Sequence, residues 1–132
     1  MISAAGAVAK TVTVQTGGLL SISAAGSLTI AGSADQGLLN SGTVQNSGII
    51  TVTDIAGTEG NGVLNYNIFN NLAGGTLNID GLNSLSQNIG LYNVTGATFT
   101  NAGTINIGAT KITSRYSSAG NRNNNIHVLG HA

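Results

Sequence analysis

One short word returns along this chain at a nearly constant interval, and that interval limits the fold more than any other feature. Gly-apolar-Leu/Tyr-Asn occurs as Gly37-Leu38-Leu39-Asn40, Gly62-Val63-Leu64-Asn65 and Gly90-Leu91-Tyr92-Asn93, stepping by 25 and then by 28. A second word, Gly-x-Leu/Ile-x-Ile/Val, steps from Gly48 to Gly75 to Gly103 by 27 and 28, with earlier copies at Gly18 and Gly26. Two different words in one register mark a structural repeat, and steps of this size belong to solenoids and related arrays. A weaker third word lies between them, as Thr43-Val44-Gln45-Asn46, Ile68-Phe69-Asn70-Asn71 and Thr98-Phe99-Thr100-Asn101.

Each word alternates apolar and polar residues, which is the period of a half-buried strand. Three short strands joined by Gly and Asn corners describe one rung of a parallel β-solenoid. An antiparallel sandwich also has short strands but does not require one three-strand word to recur at fixed spacing. A helical repeat fails on propensity, because Gly, Asn and Thr fill the connecting words. The expected fold is therefore all-β, a short parallel β-helix of about four to five rungs with 25–28 residues per regular rung. The whole chain, 1–132, reads as a single domain. Residues 37–108 form its regular rungs, 1–36 its irregular N-terminal coils, and 109–132 a closing segment that ends in the strand-like Ile126-His127-Val128-Leu129.

The repeat assigns work to particular side chains. Leu20, Ile22, Leu28, Ile30, Leu39, Ile50, Val52, Leu64, Leu77, Ile79, Ile105 and Ile107 are the expected interior, stacked rung on rung at about 4.8 Å. Asn40, Asn65 and Asn93 fall at one rung position, where each amide can hydrogen-bond to its equivalent one rung away, so an asparagine ladder is expected. Phe69 and Phe99 are expected to fill the core or an interface.

Composition removes several functions. The 132 residues hold four basic and four acidic side chains, no Cys, no Pro and no Trp. Without cysteine there is no disulfide framework and no thiolate or Cys-based metal chemistry. Four basic residues give nucleic-acid binding almost no electrostatic basis. Gly, Ser, Thr and Asn interrupt every apolar run short of the roughly 18 residues that a spanning helix needs, so no membrane insertion is expected. The first ten residues lack the basic start of a signal peptide.

The words Gly37 to Val52 and Thr98 to Ile107 resemble the repeats of β-helical bacterial surface proteins, such as haemagglutinin-type adhesins and autotransporter passenger domains. The resemblance covers about residues 18–108. It implies a right-handed parallel β-helix, export to the bacterial cell surface, and a structural or adhesive role.

Candidate chemistry is sparse. Asp54 and Asp80 are 26 apart, close to one rung, and are the one pair that could serve as acid and base in cleaving a polysaccharide. They sit at the sixth and fifth positions after Gly48 and Gly75, so alignment is not expected, and both read as turn residues. His127 and His131 have the spacing of a zinc pair on a helix, but the local word is strand-like and no acid follows. Thr-x-Thr at Thr11, Thr51 and Thr98 suggests the threonine ranks of ice-binding solenoids, yet Asn78 with Asp80 and Asn106 with Gly108 break the rank. Asn93-Val94-Thr95 fits a glycosylation acceptor. Tyr66 and Tyr92, with Tyr116, Phe69 and Phe99, could stack on sugars if exposed. The leading expectation is a non-enzymatic structural or adhesive surface module that self-associates, with a homotrimer favoured and no cofactor or metal. The alternative is a carbohydrate-binding module, with a polysaccharide-cleaving enzyme or an ice-binding protein behind it.

Overall fold

The computed structural model describes residues 1–33, 35–82, 87–108, 114–118, 122–123 and 127–128. The first turn is β1 (Ala7–Ala9), β2 (Val12–Val14) and β3 (Leu19–Ile22), and the second is β4 (Ser27–Ala31), β5 (Gln36–Asn40) and β6 (Thr43–Asn46). The third comprises β7 (Ile49–Thr53), β8 (Glu59–Asn65) and β9 (Ile68–Asn71), and the fourth β10 (Thr76–Ile79), β11 (Gln87–Asn93) and β12 (Thr98–Asn101). β13 (Thr104–Ile107), β14 (Ser114–Ser118), β15 (Arg122–Asn123) and β16 (His127–Val128) continue the path. Every third strand joins one sheet. The first sheet runs β1-β4-β7-β10-β13-β16, the second β2-β5-β8-β11-β14 and the third β3-β6-β9-β12-β15, all in parallel pairs. The chain is an all-β solenoid of about four turns.

Register shows how the three words become three sheets. The Gly-x-Leu/Ile-x-Ile/Val word builds the first sheet, where Leu28, Ile50, Leu77 and Ile105 stack in one column and Ile30, Val52, Ile79 and Ile107 in the next. All eight are buried. A Cβ on Gly48 would sit 2.3 Å from the Gly26 carbonyl oxygen of the turn below, which explains why the word opens on glycine. The Gly18 copy belongs elsewhere: it leads into β3, where Leu20 pairs with Val44 of the third sheet. Two copies eight residues apart are thus two sides of a single turn.

The second sheet departs from the expected interior. Leu38, Val63 and Leu91 are fully buried in the core, whereas Leu39 is half-buried and stands in register with Leu64 and the exposed Tyr92. Leu64 is buried but lies outside the core cluster. The cause is the inward Gly37: a Cβ there would meet the Val52 Cγ1 at 2.3 Å, so Gly37 and Leu38 both face the interior and the alternation is shifted by one residue. Leu20 is also half-buried, because β3 has almost nothing beneath it.

The third word fills the third sheet with Val44, Phe69 and Phe99, all buried. The two phenyl rings stack with centroids 4.7 Å apart and planes 19° from parallel. Corners absorb the variation in step. The second-to-third corner is two residues at Ser41-Gly42 and Tyr66-Asn67 but four at 94–97, and the third-to-first corner is two at Ser47-Gly48 and four at 72–75.

Candidate functional site

Two columns of buried asparagine brace the corners. The Asn40 Nδ2 donates to the Asn65 Oδ1 at 2.7 Å, and the Asn65 Nδ2 to the Asn93 Oδ1 at 2.6 Å. A second ladder, absent from the sequence expectations, closes the third sheet: Asn46 donates to Asn71 at 2.8 Å and Asn71 to Asn101 at 2.7 Å. Its signal in the sequence is the Asn that ends each third word. Spare donor capacity goes to the next turn, as with Asn40 to the Ile68 carbonyl at 2.8 Å and Asn46 to the Thr76 carbonyl at 3.0 Å. At the lowest members, the Gly42 and Gly48 N–H groups donate to the Asn40 and Asn46 Oδ1 atoms. These residues are structural. Asn93 is wholly buried, so the Asn93-Val94-Thr95 acceptor is closed to glycosylation in the folded chain.

The two aspartates stand in adjacent turns but out of register. Asp54 lies beside Gly81 and Asp80 beside Thr53, one step out of register at the first-to-second corner. Asp54 adopts φ 56°, and Gly32 and Gly81 at the equivalent corner positions have φ 83° and 64°. Asp54 therefore occupies a left-handed position that neighbouring turns give to glycine, a role aspartate fills better than most residues. Among the described residues, no three His, Asp or Glu side chains come together as a metal site. His127 pairs in register with Asn106, and His131 lies outside the described residues.

Threonine is interrupted as expected on the first sheet, where the outward column reads Thr29, Thr51, Asn78 and Asn106. The Asn106 Nδ2 donates to the Asn78 Oδ1 at 2.8 Å, so this column is held by amides above Thr51.

The charges whose side chains are described lie along one edge of the three-sided coil, while Glu59 and Arg115 stand on second-sheet strands and Arg122 stands on β15 of the third sheet, in register with Thr100. The described charged side chains Lys10, Asp35, Asp54 and Asp80 are all exposed, and all lie in segments joining the first sheet to the second. The third sheet faces the other way. Over β3, β6, β9 and β12 its outward positions are Leu19 and Ser21, Thr43 and Gln45, Ile68 and Asn70, and Thr98 and Thr100, with no charge among them. Leu19 is 60% exposed and Ile68 37%, and the Thr100 hydroxyl donates to the Asn70 Oδ1 at 2.6 Å. The expected glycan contacts flank the corner that leads into this face: Tyr92 is exposed on β11, and Tyr66 is exposed between β8 and β9.

Among the described residues no helix is long and apolar enough to cross a membrane. Comparison with known proteins finds no matching family model, no matching curated protein and no matching solved structure.

Proposed function

We propose that this chain is a non-enzymatic structural or adhesive module of the bacterial cell surface that self-associates side by side through the outer face of the third sheet, as a trimer. One observation carries the reading: a four-turn face free of charge, bearing exposed Leu19 and Ile68, lies across the coil from the edge that holds the described charges. Soluble domains normally intersperse charge over their surface, and charged residues are depleted where proteins associate. Molar mass by light scattering after size exclusion is expected to be three times the 13.1 kDa of one chain, or a multiple of that. Ile68→Asp is expected to prevent the trimer while leaving the fold intact. A strict monomer at high concentration overturns the proposal.

A second reading, a carbohydrate-binding module, is favoured by the exposure of Tyr66 and Tyr92 beside the amide and hydroxyl groups of the third sheet. It expects binding to a neutral glycan that Tyr92→Ala or Tyr66→Ala weakens without unfolding the coil. Silence across a broad glycan panel removes it.

A further inference from the structure

Glycine follows an aspartate or asparagine at two places in this chain, Asn61-Gly62 and Asp80-Gly81. At such pairs the side-chain carbonyl carbon is most open to attack by the next backbone nitrogen, because glycine puts no Cβ in the way. In an unstructured chain the asparagine pair reacts faster than the aspartate pair. The fold places the two in opposite settings.

Asn61 is held. It lies inside β8 and is 9% exposed, and its N–H donates to the Asp35 carbonyl at 2.8 Å. The residue is paired with both β5 and β11, and a Cβ on Gly62 would stand 2.6 Å from the Gly90 carbonyl oxygen of the next turn. The segment has no room to swing its backbone nitrogen onto the side chain.

Asp80 is open. It follows the last residue of β10, and its exposed side chain borders a recess of about 180 Å³ formed with Asn78, Ile79, Asn106 and Gly108. The Gly81 N–H donates to the Asp80 Oδ1 at 2.8 Å, so the attacking nitrogen and the carboxyl are already in contact.

We propose that Asp80-Gly81 is a site of spontaneous isomerisation in the folded chain, with Asn61-Gly62 protected. With the carboxyl protonated, the Gly81 nitrogen bonds to the Asp80 Cγ, the Cγ–OH bond breaks, and the amide hydrogen leaves with that hydroxyl as water. Water then opens the cyclic imide at one of its two C–N bonds. Breaking the Cγ–N bond restores aspartate, and breaking the backbone C–N bond leaves isoaspartate, whose main chain runs through Cβ and Cγ and is longer by one carbon. The corner has no slack for that carbon. The Asp80 N–H is bonded to the Val52 carbonyl at 3.0 Å, and Leu82 is fully buried and paired with Ile55, so a single glycine spans two fixed points. Isomerisation therefore loosens the fourth turn, independently of any association between copies.

The test ages the full chain in neutral buffer, folded and in guanidinium chloride. Both samples are then unfolded and digested with an endoproteinase that cuts before aspartate but not before isoaspartate, and the products are weighed by mass spectrometry. In the folded sample, cleavage before Asp80 is expected to be lost progressively with no change in mass, while cleavage before Asp35 and Asp54 persists and Asn61 keeps its amide. In the unfolded sample Asn61 is expected to deamidate ahead of Asp80. The urea midpoint of the aged folded chain should fall, and that of Asp80→Glu, whose larger ring closes far more slowly, should hold. The protease readout on the unsubstituted chain stands whether or not the variant folds. Complete cleavage before Asp80 after folded ageing overturns the proposal, as does deamidation of Asn61 at the same rate in both samples. Cleavage lost with the midpoint unmoved overturns the account of the corner.

Discussion

A buried carboxamide among aliphatic side chains is costly unless its donors and acceptor are all engaged. The ladder asparagines meet that condition by pairing with themselves and with the corner carbonyls, so each amide ties two turns and a bend together. Asn65 sits at the middle of its ladder: it accepts from Asn40 and donates to the Asn93 Oδ1, to the Thr98 carbonyl at 3.0 Å and to the Asn67 carbonyl at 3.2 Å. Asn65→Ala strands Asn93 and removes support from one corner. It is expected to cost about 2–4 kcal/mol, since each buried group left unpaired costs about 1–3 kcal/mol. The urea midpoint should fall with the slope unchanged. Asp54 tests the opposite case, a residue placed by its backbone. At φ 56° a β-branched residue is strained, so Asp54→Val is expected to lose about 1–2 kcal/mol while Asp54→Gly loses none. Equal losses in both variants would show that the carboxylate matters more than the left-handed corner.

At the level of the strand, the interval is legible in the sequence and the phase is hidden. Two words repeating in one register dictate stacked turns whatever the detail of each corner, and the first sheet follows its word residue for residue. The second sheet does not, because alternation alone cannot say whether Leu38 or Leu39 points inward. Only the third dimension reveals that Gly37 and Gly62 pass so close to the neighbouring sheet that the strand must turn its next residue in as well. Gly62→Ala would place a methyl 2.5 Å from the Ile79 Cγ2 and 2.6 Å from the Gly90 carbonyl oxygen. Overpacking of this kind costs about 1–3 kcal/mol, and the measurable outcome is a lowered urea midpoint. Glycine's strand propensity runs the other way, so stabilisation by Gly62→Ala would refute this account of the phase. The Asn46 ladder has a visible signal, an Asn closing each of the three copies of the third word, but the word around it varies too much to single that position out. The exposed third-sheet face was not readable, because which side of Ile68 meets solvent depends on Phe69 filling the core beside it.

Over the whole molecule the corners sort the charge. Long first-to-second corners carry Asp35, Asp54 and Asp80 into solvent, while the outward positions of β3, β6, β9 and β12 on the third sheet carry no charge. This asymmetry fixes the salt dependence of the proposed assembly. An interface of Leu19, Ile68, Thr98 and their neighbours has no Coulombic term for ions to screen, although the Debye length shrinks from about 10 Å at 0.1 M to about 3 Å at 1 M. The molar mass is therefore expected to stay constant as sodium chloride rises through that range, and sulfate should strengthen the association by favouring burial. Ile68→Asp inverts the behaviour. It brings like charges together where copies meet, so its dissociation should be partly reversed by the same salt. Dissociation of the wild type on adding sodium chloride would instead place the contact at the edge of Asp35, Asp54 and Asp80, and the neutral face would lose its part in assembly.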